Sequence, residues 1–291
     1  MKTQFALFLV FISSFAFSQV PADLKFDNNF VNSENHWVVI PNKDDKKSEF
    51  SYGFLYYDES GGGYSLQQTN SFTLENGKFL KKPANENEKK VVRLNNSDIQ
   101  FALLSDARIA EMKLEKEPTF LKAYNVLKNE DEKKLARASS INGLRRPDLS
   151  LPMLQSLKAK SYSSPKLYFE LAYANNALKK YDDAEKIIDE AEKKGFFGEL
   201  LIKEKIYSYV HNNKLKIADD FLKQHLSVFK SSLYKEESIG NMVINYYNAK
   251  DLVKAKEWLA IYYREFPQGG KYKTDIEKLK IAVENPAAKK Q

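Results

Sequence analysis

The sequence has no cysteine and only 3 histidines among its 291 residues. Without cysteine the chain has no disulfide, no thiol nucleophile and no thiolate ligand for zinc or an iron–sulfur cluster. The histidines, His36, His211 and His225, do not stand at the spacing of a metal-binding motif. A serine-hydrolase nucleophile elbow is also missing. We therefore expect no cofactor, no metal site and no catalytic residue, and we do not expect an enzyme.

Arginine is scarce as well, since most of the 46 basic side chains are lysines, and the formal net charge is +7. The lysines are spread in pairs and interleaved with glutamates, which is typical of a solvated surface. Proteins that read nucleic acids favour arginine and a concentrated basic stripe. We therefore expect no nucleic acid among the partners.

The N-terminus, residues 1–18, has the pattern of a secretory signal peptide. Lys2 precedes an apolar run from Phe5 to Ile12, and the small residues Ala16 and Ser18 then form an A-x-S cleavage pattern. This run is too short to cross a bilayer, which needs about 20 residues, and no later segment approaches that length. We expect cleavage after Ser18, export to the periplasm or alternatively to the extracellular medium, and no integral membrane span. A buried N-terminal helix is disfavoured, because the apolar run has no polar face.

After a polar lead-in at residues 19–35, residues 36–116 have the pattern of a β-rich domain. Aromatic residues alternate with others from Phe50 to Tyr56, which predicts a strand with one packed face. Asn76-Gly77 between apolar runs predicts a hairpin. The glycines Gly61–Gly63 lack the lysine of a phosphate loop and predict a turn. Further strands are expected in two apolar runs, whereas a third suits a short helix: Val91–Leu94, Ile99–Leu104 and Ile109–Leu114.

The composition changes near Pro118, and after a linker or short helix at residues 117–131 the chain has helical spacing over residues 132–285. Ser164 followed by Pro165 predicts a capped helix start, Asp182 is the expected cap of the next helix, and Gly195 is expected to close it. Residues 286–291 are expected to be a frayed tail.

The helices recur at a nearly fixed interval. Ala184, Ala218 and Ala255 lie 34 and then 37 residues apart, and each is followed four residues later by a large apolar residue. A small residue early in a second helix allows close approach to the first helix, and the apolar residue one turn later fills the groove between them. An interval of about 34 residues with a helix–turn–helix unit is the tetratricopeptide signature.

This part of the chain resembles the tetratricopeptide repeat family. The matching residues are Leu171-Ala172, Tyr181, Ala184, Ile188 and Ala191, then Tyr209, Leu215, Ala218 and Leu222, then Tyr246, Leu252, Ala255, Leu259 and Pro267. The chain departs from the family pattern at Lys205-Ile206 and at His225 and Tyr262, and an earlier, weaker unit has Ser150 in place of alanine. The predicted units are 132–163, 165–197, 199–231 and 235–268, with a capping helix at 273–284.

The predicted fold is therefore α+β, with a small N-terminal antiparallel β domain followed by an all-α, tetratricopeptide-like solenoid of helical hairpins. The β segment joined to such repeats resembles exported tetratricopeptide proteins of Gram-negative bacteria. The residues that carry this resemblance are Arg93-Leu94-Asn95-Asn96-Ser97 and Pro118-x-Phe120-Leu121.

In this family the first helix of each pair lines a groove, and the resemblance therefore assigns groove positions here. Rings suit apolar anchors of an extended peptide or a helix, lysines suit carboxylates, and asparagine suits backbone groups. The alternative is that these side chains pack against the adjacent helix or the β domain. The candidate groove residues are Lys166, Phe169, Tyr173, Asn176, Lys203, Tyr207, Val210, Ile244 and Tyr247.

The resemblance implies a non-enzymatic scaffold or adaptor that binds another protein of the cell envelope. Two other functions stay open. The β domain could hold a ligand-binding or hydrolytic module with the repeats as an accessory, or the chain could be a structural subunit of a larger envelope complex.

Overall fold

The computed structural model describes residues 23–42, 49–83, 90–95 and 97–285. The chain forms two compact units, Met1–Val126 and Leu127–Gln291. The first contains the β strands and the second contains nine of the described α-helices, which confirms the predicted α+β class. The predicted signal peptide at 1–18 and the predicted tail at 286–291 lie outside the described residues.

Six strands form one antiparallel sheet in the described part of the first unit. Their bounds are β1 His36–Val39, β2 Glu49–Asp58, β3 Gly63–Glu75, β4 Lys78–Lys81, β5 Lys90–Arg93 and β6 Ala102–Leu103. The order is β4–β3–β2–β1–β6, and β5 also pairs with β3. β3 has 13 residues and pairs with β5 along its first half and with β4 along its second half. The predicted hairpin joins β3 to β4, with Asn76 and Gly77 both at positive φ.

The alternating aromatic residues of β2 form the core of the first unit, as the sequence predicts. The four rings at even positions from Phe50 to Tyr56 are buried in one cluster with Trp37 and Phe72. The indole Nε1 of Trp37 donates a hydrogen bond to the carbonyl oxygen of Glu115 at 2.8 Å. This bond satisfies the polar end of a buried ring.

The opposite face of β2 is also buried, which corrects the expectations of a single packed face and of a purely polar lead-in. Leu55 on that face is fully buried, and so is Phe30 from the lead-in. The ring of Phe30 meets that of Tyr64 edge-on at 4.8 Å between centroids. Asn28 and Phe101 exchange two backbone hydrogen bonds of 3.2 and 2.8 Å, which attach the lead-in to the sheet. The buried ring of Phe30 and these two backbone hydrogen bonds make a mostly polar segment part of the folded unit.

The later apolar runs of this unit form less regular structure than predicted. Within Ile99–Leu104 only Ala102–Leu103 are strand residues, since the residue before them bridges to the lead-in instead. The predicted short helix at Ile109–Leu114 is displaced to α1, Asp106–Glu111. A 3-10 helix at Thr119–Ala123 lies within the predicted linker.

The glycine triplet forms the predicted turn and also makes room for an arginine. Gly62 has a φ of +64°. The guanidinium of Arg93 binds Asp58 Oδ2 at 3.1 Å, and the backbone N–H of Gly61 donates to Asp58 Oδ1 at 2.8 Å. A Cβ on Gly61 would lie 2.1 Å from Arg93 Nη2, so a larger residue there would displace the ion pair.

The second unit consists of four antiparallel helix pairs and a last helix. Their bounds are α2 Glu130–Gly143, α3 Pro147–Ala159, α4 Pro165–Ala177, α5 Tyr181–Lys193, α6 Glu199–His211, α7 Leu215–His225, α8 Ser232–Asn248, α9 Leu252–Glu265 and α10 Lys273–Glu284. We call α2, α4, α6 and α8 the first helices and α3, α5, α7 and α9 the second helices. Each first helix contacts the next first helix, and each second helix packs on its own partner and on the following first helix or, for α9, on α10. The unit is therefore a helical repeat with a continuous row of first helices.

The turns inside the four pairs repeat in backbone geometry as well as in position. Arg145, Lys179, Asn213 and Lys250 each have φ between 58° and 62°, in the left-handed region. Their spacing follows the interval seen in the sequence and extends it to the first, weaker pair. The small residues Ser150, Ala184, Ala218 and Ala255 are all 0% exposed, in agreement with the close approach expected of the paired helices.

Helix ends agree with the sequence except at one cap. The Ser164 hydroxyl accepts from the backbone N–H of Leu167 at 3.2 Å, and Gly195 follows α5 with a φ of +76°. Asp182, however, does not cap α5, because that helix already begins one residue earlier. Its carboxylate instead accepts from Asn212 Nδ2 at 2.8 Å, which joins α5 to the end of α6.

Gly53→Ala is expected to destabilise the first unit by about 1–3 kcal/mol. The added Cβ would overlap with the backbone of the neighbouring strand, which cannot move aside as a flexible side chain can. Gly53 lies at an irregularity between β2 and β3, and a Cβ there would come within 2.6 Å of the Gln67 carbonyl oxygen. Urea unfolding is followed by Trp37 fluorescence in a Trp258→Phe background, which leaves one tryptophan in the chain.

The control is Gly143→Ala, read from Trp258 in a Trp37→Phe background. Apart from its chain neighbours and the backbone of its own helix, a Cβ on Gly143 meets no atom of the described residues within 4 Å. The change in stability should therefore be within about 1 kcal/mol. Equal stability of Gly53→Ala and its parent would contradict the assigned strand contact.

Candidate partner-binding face

The predicted groove residues lie on three consecutive first helices, α4, α6 and α8. Seven of the nine are exposed or half-buried, and we call the surface that they form the first-helix face: Lys166, Phe169, Tyr173, Lys203, Tyr207, Ile244 and Tyr247. Tyr207 and Ile244 remain 37% and 39% exposed. The structure therefore brings most of the predicted set to the surface of one row of helices.

Aromatic rings form a stripe on α4 and α6 at this face. The centroids of Phe169 and Tyr173 are 6.4 Å apart, those of Tyr207 and His211 are 4.1 Å apart, and His211 stacks on Tyr181 at 5.8 Å. Burial lowers the pKa of His211 and raises that of Tyr207, so both rings are neutral near pH 7. This part of the face is an uncharged aromatic surface.

Sequence reasoning missed His211 as a member of the face, because a histidine suggests a metal ligand before it suggests a surface ring. The signal that could have found it was its position four residues after Tyr207 on the same helix, which places both side chains on one side of α6.

Lys203 is less available than the sequence suggests. Its Nζ pairs with Glu237 Oε1 of α8 at 3.2 Å and lies 5.4 Å from the ring centroid of Tyr234. It links two first helices, and a partner carboxylate would have to compete with Glu237 for it.

Two predicted groove residues, Asn176 and Val210, are not exposed, which corrects that expectation. Asn176 is 3% exposed and Val210 is 9% exposed. The Asn176 amide donates to the Glu204 carbonyl oxygen at 3.0 Å and to Glu204 Oε2 at 2.9 Å, and its oxygen accepts from Ser208 Oγ at 2.8 Å. Its hydrogen bonds are thus made to the next first helix rather than to a ligand.

The same arrangement occurs one repeat earlier, and we call it the Asn–Glu clamp. Asn142 Nδ2 of α2 donates to the Glu170 carbonyl oxygen at 3.2 Å and to Glu170 Oε2 at 2.7 Å. Asn142 and Asn176 stand one repeat interval apart, and so do the two glutamates. This recurrence was visible in the sequence and identifies all four side chains as contacts between first helices.

The clamp is not repeated between α6 and α8. The residue one interval of 34 residues after Asn176 is Val210, which is buried and has no side-chain amide to donate to α8. Burial raises the pKa of Glu204, opposed by the hydrogen bond from Asn176 and by the charge of Lys203. Burying a carboxylate destabilises a fold unless the carboxylate is hydrogen-bonded, and Asn176 supplies such a hydrogen bond to Glu204.

A cavity of about 580 Å³ opens at the start of α4 and α6, and we call it the α4–α6 pocket. Most of its wall is apolar, from Pro165, Phe169, Phe196, Phe197, Leu200 and Leu201, together with the glycines Gly195 and Gly198. Lys166, Glu170 and Glu199 are the charged residues of its lining. Two of these lining residues, Phe169 and Lys166, belong to the first-helix face, so the pocket continues that face.

Within the described parts of the chain, no three acidic or histidine side chains converge in a way that could hold a metal ion. Over the same residues, no helix combines the length and the apolar character that crossing a membrane requires.

Comparison with known proteins adds no family to this description. No protein-family model matches the chain, and comparison with curated proteins gives no significant match.

Asn176→Ala is expected to lower the stability of the second unit by about 2–3 kcal/mol, because it leaves a buried carboxylate without its amide donor. Unfolding is measured by Trp258 fluorescence in a Trp37→Phe background. Asn245→Ala is the matched control on another first helix, since among the described residues Asn245 Nδ2 donates only to the carbonyl oxygen of Asn241, one turn earlier. If both variants lose the same stability, the clamp has no special role.

Glu204→Gln is expected to change the pH dependence of stability. Because the pKa of Glu204 is raised above its ordinary value of 4.5, the folded protein holds a proton that the unfolded chain releases. The corresponding stabilisation is fully present below the ordinary pKa and is lost as the pH rises through the raised pKa. The wild type should therefore lose stability relative to Glu204→Gln over that range, measured by urea unfolding at several pH values. A constant difference between the two proteins would contradict the assignment.

Proposed function

We propose that this protein is an exported, tetratricopeptide-like scaffold that binds a protein of the cell envelope on its first-helix face. The observation that carries the proposal is the uncharged aromatic stripe on α4 and α6, which stays at the surface of helices whose core is already filled. Large rings at a surface are the side chains that protein interfaces use most often as anchors.

The repeat geometry supports the tetratricopeptide part of this proposal. Paired antiparallel helices at an interval of about 34 residues, with a small residue early in each second helix, are the features of that family. A continuous row of first helices then offers a surface longer than any single helix. Such a surface suits an extended segment or a helix of a partner.

Export is proposed on the basic, apolar and small residues between Met1 and Ser18. A non-enzymatic role is proposed because the sequence carries no catalytic motif. The scaffold would then act by holding its partner in place.

The double variant Tyr173→Ala, Tyr207→Ala is expected to lose the partner and to keep its helices. The full chain, tagged and expressed in its own cells, is crosslinked mildly and purified from the envelope. A single protein should be retained at a fixed ratio by the wild type and should be lost from the variant. Far-UV circular dichroism of the purified variant checks that the helices remain.

The control is the double variant Ile217→Ala, Val253→Ala, which removes apolar side chains that are 50% and 78% exposed on the second helices α7 and α9. It should retain the partner. Unfolding of the tyrosine variant would show that its rings are core residues, and loss of the partner from the control alone would place the interface on the second helices.

A further inference from the structure

We infer that the α4–α6 pocket receives a large apolar side chain from an extended segment of the partner, and that Lys166 pairs with a carboxylate next to it. This inference rests on the proposed function, since it specifies the chemistry that the first-helix face selects. The expected ligand is thus an aromatic or leucine residue with an acidic neighbour.

The size and wall of the pocket determine the apolar part of this ligand. A volume of about 580 Å³ falls within the range of about 300–1,000 Å³ that is usual for ligand sites. Phe169 is half-buried from one side, and Phe196 and Phe197 from the loop before α6 are half-buried too. Aromatic walls of this kind favour another ring, which gains edge or offset contacts in addition to area burial.

The charges of the pocket determine the acidic part. The two acidic lining residues already have partners inside the unit. Glu170 is bound by Asn142, and Glu199 Oε2 accepts from the backbone N–H groups of Lys230 and Ser231 at 2.9 and 2.8 Å. Lys166, by contrast, is exposed, and its side chain forms no ion pair or hydrogen bond with the described residues. It is the charge in the lining that remains available to a ligand.

The start of α6 adds to the effect of Lys166. Gly198 is the N-cap of that helix and supplies no side-chain acceptor. Among the described residues, no acceptor is bound to the first backbone N–H groups of α6, at Glu199, Leu200 and Leu201. The first turn of α4 contains no acidic residue. The start of α4 is capped by Ser164. Glu199 lies in the first turn of α6, but its Oε2 accepts from the backbone N–H groups of Lys230 and Ser231. Because helix starts favour negative charge, the start of α6 favours a carboxylate beside Lys166.

The charge of the whole chain agrees with an acidic ligand. The formal net charge of +7 attracts acidic segments over distances longer than a contact. Pocket, lysine and net charge therefore select the same kind of segment.

The test uses the full chain and three fluorescent peptides made of glycine and serine around a central pair of residues. The pairs are Phe-Asp, Ala-Asp and Phe-Lys, and binding is measured by fluorescence anisotropy. We expect the Phe-Asp peptide to bind at least about fivefold more tightly than each of the others, which is the size that one partly exposed ion pair or one apolar anchor supports.

Two variants locate the binding. Lys166→Glu should reverse the preference between the Phe-Asp and Phe-Lys peptides. Gly198→Leu should weaken both, because Gly198 lines the pocket, has an extended φ of −167° and would carry a Cβ with no heavy atom within 4 Å. Lys216→Glu is the charge-matched control, since Lys216 is exposed on α7 and lies outside the pocket lining; it should leave the preference unchanged.

Several outcomes would overturn the inference. These are no measurable binding of the Phe-Asp peptide, no advantage over the Ala-Asp peptide, or an unchanged preference in Lys166→Glu. In cells, Lys166→Glu and Gly198→Leu should release the partner. If these two variants retain the partner and the tyrosine variant loses it, the inference about the pocket is refuted, whereas the proposed function still holds. A wild type that retains no partner refutes the proposed function, and the peptide preferences still decide the chemistry of the pocket.

Discussion

No helix pair in the second unit can bury its apolar stripe alone, and this constraint decides how the unit is built. One core cluster around Trp258 draws on five helices, from α6 to α10. Apolar burial brings the pairs together but is not directional. The Asn–Glu clamps supply direction, because an amide that must meet both a backbone oxygen and a carboxylate of the next first helix permits only one register.

The clamps stop where the repeat interval changes, and a different buried carboxylate then completes the stack. Glu236 of α8 accepts from the Tyr262 hydroxyl at 2.9 Å and from the backbone N–H groups of Lys271 and Tyr272 at 2.8 Å each. Gly270 lies so close that a Cβ would come within 2.3 Å of the carboxylate. These bonds hold the loop before α10, and α10 in turn covers the apolar surface that the last pair leaves.

The repeat could be predicted from the sequence because its signals are local and periodic. Small residues at a nearly fixed interval identify the second helices without any knowledge of their neighbours. Lys205 shows the limit of that reasoning, because the resemblance to tetratricopeptide repeats predicts an apolar or small residue at its position. It is 6% exposed, bound to Asp189 at 2.8 Å and 5.2 Å from the centroid of the Phe221 ring. Partners on two other helices make this burial possible, and no local pattern contains them.

The β unit and the candidate site were less predictable for the same reason. Phe30 is one of a few apolar residues in a mostly polar segment, and its contact with Tyr64 makes it a core residue. Asn176 was assigned to a groove because a polar side chain on a first helix suits a ligand as well as it suits a neighbouring helix. Asn142 and Asn176 stand one repeat interval apart and form the same contact. This recurrence distinguishes a contact between helices from a ligand contact, since contacts that hold a repeat together recur with the repeat.

The clamps also determine what a partner can recognise. Asn142 and Asn176 use their hydrogen bonds between first helices, and Lys203 is bound to Glu237, so these polar groups of the row are already engaged. What stays at the surface is mainly aromatic, with Lys166 at the edge of the pocket. Recognition by the proposed scaffold would therefore depend on apolar anchors more than on charge, because burying a ring contributes more than an exposed ion pair.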